Sequence, residues 1–421
     1  MSRVLLLAFT TIAVRCWFIL RFRIDSDEPQ HLHVAWAWTR GLVQYRDVFD
    51  NHLPLLHILF APLMAIVPES SAVFLLARFA IAPFAIGAAW LLYVAARPLF
   101  GAQVAGTAAL LFSVMPPWLP KSVEFRNDTL WIFFWLAAMT LVTRGRGHFL
   151  AGVAMSFSLL ASIKAVPLLL AHLLALFSER RSVSLREVMQ FAAGFALPLA
   201  IAAAAFTSMS ALDDMVREAI LFNAAAPVAA ARRIGGAVFF AFAASMFSVV
   251  KPRATHLTLF AVWYTLLLLC FWPILTPRDF LPLVPVAALA IALRLRTTVV
   301  LPVLVAIAAS FVDARMWRPR DASRARFVDA VVRMTNPEDY VFDLKGDAVF
   351  RRRAVRYVYE DVGRALTANG TIADRGPEEL AAARCCVAVK DSPHIPPRTR
   401  AYLNANFVDI GPLRVCRKER E

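Results

Sequence analysis

Apolar blocks separated by short polar breaks fill the chain as far as residue 315. They fall at about 5–20, 71–96, 99–115, 129–143, 148–163, 165–177, 188–208, 235–250, 256–275, 279–295 and 297–314. Blocks of this length with few charges read as membrane-crossing helices, and the pattern predicts about eleven. Residues 148–177 also read as two half-length helices broken at Lys164. Leu55–Val67 follows Pro54, contains Pro62 and is short for a crossing, so it is expected to lie at the interface or be partly re-entrant. Met1–Leu20 has a basic start and an apolar core. No small-x-small site precedes the acidic stretch behind it, so an uncleaved first span is expected. Arg15, inside that span, must face protein or a lipid headgroup.

Beyond residue 315 the pattern changes. Short apolar runs (Tyr340-Val-Phe, Val387-Ala-Val, Phe407-Val-Asp-Ile) alternate with charged helical stretches such as Asp321–Met334. That alternation predicts a small α/β domain over 316–421, large enough for one core. The division is therefore a transmembrane module, 1–315, with a polar-amphipathic outer loop at 21–70, followed by the α/β domain.

Composition agrees with the pattern. Of 421 residues 59% are hydrophobic and 18% charged, and mean hydropathy is +0.60, which excludes a soluble domain of this length. The net charge of +15 does not point to nucleic acid, because much of the Lys and Arg sits in short clusters between apolar blocks. Arg97, Arg144-Gly-Arg146, Arg180-Arg181 with Arg186, Lys251-Pro-Arg253 and Arg294-Leu-Arg296 fall in alternate loops, on the side of Arg3. The positive-inside rule makes that side cytoplasmic. Loops 21–70, 116–128, the corner at 164, 209–234 and 276–278 then face outward. An odd number of spans puts the tail outside as well. There Cys416 can pair with Cys385 or Cys386, while Cys16 and Cys270 fall in apolar blocks as packing residues. No CxxC or Cys/His cluster offers a metal site.

The first strongly polar segment after the N-terminal span is Asp25-Ser-Asp-Glu-Pro-Gln-His-Leu-His33. Ser26 is expected to cap a helix whose first turn carries Asp27, Glu28 and Pro29 and which stops at Gly41. Trp36 and Trp38 are expected as interface anchors. Adjacent helical residues point about 100° apart, so Asp27 and Glu28 cannot both face one reacting atom. One does chemistry, and the other holds the site or binds a second group.

Other ionisable residues recur at span edges on the same outward side. Glu124-Phe-Arg-Asn-Asp128 follows a Pro-Pro-Trp corner, Lys164 breaks an apolar stretch, and Arg278-Asp279 leads into Phe280-Leu-Pro-Leu. In the plainest reading Arg126 pairs with Asp128 or Glu124, and Lys164 snorkels to the interface. Taken together, charges this close to hydrocarbon are expected to line one polar cavity. Transfer of a sugar from a polyprenyl phosphate needs such a set. A carboxylate deprotonates or orients the acceptor, and Lys and Arg stabilise the departing lipid phosphate.

Asp27-Glu28-x-x-His31, Gly41, Tyr45-Arg-Asp-Val-Phe49 and His52-x-Pro-Leu55 resemble the first outer loop of GT-C-type membrane glycosyltransferases. They are most similar to the bacterial relatives of the dolichyl-phosphate-mannose protein mannosyltransferases and to the lipid A aminoarabinose transferases. Glu124-x-Arg126-x-Asp128 resembles their second acidic motif, Ser162-Ile-Lys164 their lysine corner, and Arg278-Asp-Phe-Leu-Pro282 their Arg/His-Tyr-Leu-Leu-Pro element. His52-Leu-Pro54-Leu55 departs from their His/Lys-Pro-Pro-Leu. The resemblance covers about 1–300. It implies Asp27 as the catalytic carboxylate, with Glu28 next in line, and Arg126, Lys164 and Arg278 on the donor phosphate. Glu124, Asp128, His31, His52 and Tyr45 would contact substrate. It permits a divalent metal without demanding one.

These readings converge on an α-helical polytopic protein of the bacterial cytoplasmic membrane. It would carry a sugar from a polyprenyl-phosphate donor to a lipid, glycan or protein acceptor outside, with inversion. The alternative from another class is a transporter or flippase of a lipid-linked sugar, which predicts charges at mid-span and broken helices in matching halves. A non-catalytic assembly protein leaves the outer-loop acids unexplained.

Overall fold

The structure is a computed structural model that describes residues 3–145, 147–179, 183–225, 255–272, 275–295, 299–318 and 322–417. The span expected at 235–250 lies outside these residues, as do Lys251-Pro-Arg253, Arg180-Arg181, Arg146 and Arg296 of the basic loops. Ten helices lead the chain: α1 (Arg3–Arg21), α2 (Glu28–Thr39), α3 (Leu55–Ile66), α4 (Val73–Phe100), α5 (Ala102–Val114), α6 (Trp118–Val123), α7 (Asn127–Thr143), α8 (His148–Ala161), α9 (Ala165–Ser178) and α10 (Leu185–Ser208). Leu212–Ala224 continues as a helix with a π-helical middle, Val216–Leu221, and Thr255–Phe271, Leu283–Leu295 and Val300–Asp313 follow. Each apolar block outside 235–250 holds a helix. Residues 148–177 form two, broken at Lys164. Among the described residues, only α4 (28 residues) and α10 (24 residues) are long and apolar enough by themselves to cross a bilayer. Helices such as α5 (13 residues) and α8 (14 residues) fall below the roughly 20 a straight crossing needs, so the count of eleven remains an expectation of the pattern.

The chain divides into two compact units. The first comprises Met1–Phe22, Arg78–Ala204 and Val228–Pro319. Within it α7 packs on α8, α9 on Thr255–Phe271, and α5 on Leu283–Leu295 and Val300–Asp313. Two glycines bring α8 and α10 into backbone contact. A Cβ on Gly152 would lie 2.1 Å from the Phe191 carbonyl oxygen, and one on Gly194 would lie 1.9 Å from that of Phe149. Any larger residue would force the helices apart, as at other small-residue crossings. Arg15 faces protein, donating to Ser122 Oγ (2.8 Å) and the Ser113 carbonyl (3.1 Å). Arg78 closes the end of α1 by donating to the carbonyls of Ile19 and Phe22. Large apolar side chains such as Phe9, Trp90, Phe177 and Ile201 are exposed, a surface suited to lipid.

The second unit comprises Arg23–Ala77, Ala205–Pro227 and Arg320–Glu421. In it α2 packs along α3. The C-terminal segment builds a five-stranded sheet ordered β2-β1-β3-β5-β4 from β1 (Tyr340–Phe342), β2 (Arg352–Arg353), β3 (Val387–Val389), β4 (Phe407–Ile410) and β5 (Leu413–Cys416). β1 runs parallel to β2 and β3, and β5 antiparallel to β3 and β4. The period-two alternation of a strand sorts its residues onto two faces. Val341, Val387 and Leu413 pack with Val331 of the helix Ser323–Met334, whereas Phe342 and Ala388 pack with Leu380, Leu403 and Phe407. All three expected strands and the expected helix are present, the helix starting at Ser323. Of the two open pairings, Cys386–Cys416 is the disulfide, and Cys385 is buried and free.

Two local expectations need correction. Asp27, not Ser26, is the residue before α2, and no side chain caps the helix. Glu28 instead folds back to accept the Asp25 N–H at 2.7 Å, which draws the chain in and moves the helix start forward by one residue. The stop is as expected, with α2 ending at Thr39 and Gly41 at φ +72°, where a side chain would be strained. Trp36 is buried rather than an interface anchor, as is every residue of α2 from Glu28 to Ala37.

Candidate active site

In the first unit, three separate segments bring their charges together. The Pro-Pro corner and α6 deliver Lys121 and Glu124. Arg126 stands before α7 and Asp128 in its first turn, where an acid suits the positive helix end. Lys164 stands before α9, and Arg278-Asp279 occupies the short 3-10 turn Pro277–Phe280. Glu124 binds Lys121 at 2.9 Å and Arg278 at 2.6 Å. Asp128 faces Arg278 at 3.1 Å, Arg126 at 3.3 Å and Lys164 at 3.8 Å. Lys164 also reaches Asp279 at 3.0 Å, whose other oxygen accepts from the backbone N–H and hydroxyl of Thr276. Arg126 thus pairs with Asp128, as the plainest reading had it, but Lys164 pairs inward rather than snorkelling. Lys121, Arg126, Lys164 and Arg278 thus gather on Glu124, Asp128 and Asp279, and each of these acids is partnered.

In the second unit, Asp27 Oδ1 accepts from Lys345, which also reaches Ser26 Oγ (3.3 Å) and Glu360 (3.5 Å). Lys345 comes from a tight turn behind β1. Asp343 accepts the N–H groups of Gly346 and Ala348, and Gly346, at φ +101°, leaves room for His33, since a Cβ there would stand 2.9 Å from that of His33. Glu28 is fully buried on backbone. The two acids therefore divide as adjacent helical positions must, Asp27 toward a cation and Glu28 toward the chain that holds the helix start.

Further along, Asp50 is buried and accepts from Gln44 (2.8 Å), Gln30 (3.1 Å) and His52 (2.9 Å). Burial opposes its ionisation, but His57, His52 and Gln30 outweigh it and hold the carboxyl below its usual range. His57 Nδ1 lies 3.4 Å from Asp50, and His57 Nε2 lies 2.9 Å from His31 Nδ1. Tyr45, at φ +73°, is buried, and its hydroxyl donates to the His52 carbonyl at 2.7 Å, which shapes the loop. Burial, with Asp50 and Glu218 nearby, raises that phenol well above its ordinary value. The sequence reading missed Lys345, Asp50, His57 and Glu218. Asp343-x-Lys-Gly directly after a predicted strand was the one local signal among them. Among the described residues no group of three or more His, Cys, Asp or Glu is placed to hold a metal ion.

Residues 51–208 match the family model described as dolichyl-phosphate-mannose-protein mannosyltransferase, a stretch that includes His52, Glu124, Arg126, Asp128 and Lys164. No curated protein matches by sequence. The fold is similar to that of ArnT from Cupriavidus metallidurans in the apo state, at 12% identity and TM-score 0.64, over 98% of this chain and 97% of that one. It is similar to the same protein bound to undecaprenyl phosphate, at 13% identity and TM-score 0.65, over the same shares. It is also similar to the Archaeoglobus fulgidus oligosaccharyltransferase in complex with Zn and sulfate, at 12% identity and TM-score 0.52, over 93% of this chain and 68% of that one. The fold is that of the GT-C glycosyltransferases. Family match and GT-C fold together indicate a membrane glycosyltransferase, an enzyme rather than a carrier.

Proposed function

We propose that this GT-C protein is an inverting glycosyltransferase of the bacterial cytoplasmic membrane, with its active site on the extracytoplasmic face. The observation that carries the reading is the gathering of Arg126 and Arg278 on Asp128 with Lys164 beside them, a set of cations of the kind that binds a phosphate. Undecaprenyl phosphate bound to ArnT, which has the same fold, supports a donor of that class. The Cys386–Cys416 bond supports an oxidising compartment for the tail.

Asp27 takes the proton of the acceptor hydroxyl or amine as that atom attacks the anomeric carbon. The bond from that carbon to the phosphate oxygen breaks, and its electron pair leaves with the lipid phosphate. Arg126, Lys164 and Arg278 balance the charge that grows there. A single displacement of this kind inverts the anomeric centre. Glu28 holds the start of α2, while Glu124 and Asp128 position the cations. The test is transfer of labelled sugar from a panel of undecaprenyl-phosphate-linked sugars into a cell-envelope fraction by the reconstituted chain. Asp27→Asn and Asp27→Ala should each lower it by about 10²–10⁴-fold at unchanged membrane insertion. Full transfer in both variants removes Asp27 as the base.

A further inference from the structure

Two chains of the form carboxylate–His–His run through the molecule, and they end differently. In the first unit, Glu179 faces His256 Nδ1 at 3.3 Å, His256 Nε2 meets His172 Nδ1 at 3.2 Å, and Trp135 Nε1 donates to His172 Nε2 at 2.9 Å. An indole N–H can only donate, so His172 Nε2 must be an acceptor. Each imidazole in that chain then carries its proton on Nδ1, the nitrogen toward the carboxylate. The chemistry is self-consistent, because a carboxylate favours a proton on the ring nitrogen that faces it.

The same rule fixes the second chain. Asp50 Oδ2 lies 3.4 Å from His57 Nδ1, which has no other partner, so a lone pair there would face negative charge. With the proton on Nδ1, His57 Nε2 accepts from His31 Nδ1 across 2.9 Å. His31 Nε2 is left with its lone pair, fully buried and without a partner. Where the first chain is closed by an indole, this one stops on an open acceptor. A buried acceptor left unpaired is costly, and such atoms are ordinarily met by water or ligand. The position is informative. His31 follows Asp27 by one helical turn, its N–H bonding the Asp27 carbonyl at 3.0 Å, so both side chains stand on one face of α2.

We propose that His31 Nε2 is the hydrogen-bond acceptor for the incoming hydroxyl or amine, locked in its acceptor tautomer by His57 and Asp50. This rests on the glycosyltransferase reading, in which Asp27 takes the proton. His31 adds a second fixed contact that orients the nucleophile, and His57 and Asp50 are positioning residues acting through it. The groups facing His31 are Asp25 on the approach to α2, His52 and His57 from the loop and α3, and Lys345 from the C-terminal sheet. Burial first, then His52, His57 and Lys345, push the imidazole well below its ordinary value, and Asp25 opposes them. The ring is therefore neutral across the physiological range and keeps its lone pair.

The tautomer is read without any substrate, from histidine ¹⁵N spectra of the full chain in detergent, with His31→Gln supplying the assignment. Nε2 of His31 should be unprotonated in the parent and partly protonated in Asp50→Asn. A protonated Nε2 in the parent overturns the proposal. In the transfer assay above, Asp50→Asn and His57→Phe should lower kcat by about tenfold to a hundredfold at unchanged donor KM. His31→Gln, whose amide oxygen can accept, should retain more activity than His31→Leu. Parent-level rates in His31→Leu and Asp50→Asn sink the relay alone. A parent chain that transfers no sugar sinks the glycosyltransferase reading, and the spectra still decide the tautomer.

Discussion

The two compact units answer part of their buried negative charge differently. In the first, Glu124, Asp128 and Asp279 are met directly by Lys121, Arg126, Lys164 and Arg278. In the second, Asp343 meets Arg353 at 2.9 Å and Asp27 meets Lys345, but some buried acids also lean on groups with no full charge. Asp50 has Gln30, Gln44 and His52, and Glu28 has a backbone N–H. Glu218 has the Asp50 N–H at 3.1 Å together with Arg356. A knot built of several Arg and Lys side chains offers the donors that a phosphate would take. Carboxylates held by neutral donors keep a negative potential, which attracts the hydrogen of a hydroxyl or ammonium. Under the proposed function, the difference would keep phosphate binding and proton transfer on separately wired groups, each set by its own partners.

The largest effect should come from taking the shared acid out of the knot. Asp128→Ala leaves Arg126, Arg278 and Lys164 without the carboxylate that all three face. Removing one partner of a buried pair costs up to about 3–5 kcal/mol, and less where the cations keep other acids, as Arg278 keeps Glu124 and Lys164 keeps Asp279. Thermal unfolding of the detergent-purified chain should shift down accordingly, with transfer lost. An unfolding midpoint equal to the parent's would mean that the three cations are solvated, and the contrast between the units would fail.

How much of this was legible in the sequence depends on how far apart the partners are. Arg126 and Asp128 are two residues apart, and Lys164 interrupts an apolar run, so hydropathy and sign alone located them. The strands Tyr340–Phe342 and Val387–Val389 were legible because apolar runs in a charged tail have few other uses. Lys345 was not, since it meets Asp27 across 318 residues of sequence and only the packed turn behind β1 reveals it. His57 hid in the apolar α3, where a lone histidine reads as packing. Its meaning comes from α2 lying alongside and presenting His31. β2, two arginines long, carries no apolar signal at all.

A middle-sized effect should separate phosphate binding from framework. Lys164 is half-withdrawn from its knot, 3.8 Å from Asp128 and 3.0 Å from Asp279, with its side chain 21% exposed. Lys164→Met keeps the length and removes the charge. If Lys164 serves the donor, KM for the undecaprenyl-phosphate sugar should rise about tenfold, the worth of one charge-assisted hydrogen bond. The unfolding midpoint should move far less than in Asp128→Ala. An unchanged donor KM would make Lys164 part of the framework.

The smallest effect is a pH dependence confined to the second unit. Burial first, opposed by Arg356 and the Asp50 N–H, pushes the Glu218 carboxyl up from 4.5 to about 7. Between those values the folded chain holds a proton that the unfolded chain has released. Stability therefore falls as pH rises through that window and levels off above it. Glu218→Gln fixes the neutral form and should flatten the slope. The fall in unfolding temperature between about pH 5 and about pH 8 should be smaller in the variant than in the parent. The same carboxamide keeps an oxygen for the Asp50 N–H, so the loop that carries Asp50 stays in register and the change can be read as charge alone. If parent and variant lose stability equally over that range, Glu218 is already ionised in the fold. Arg356 then dominates it, as the cations of the first unit dominate their acids, and the units would differ less than their partners suggest.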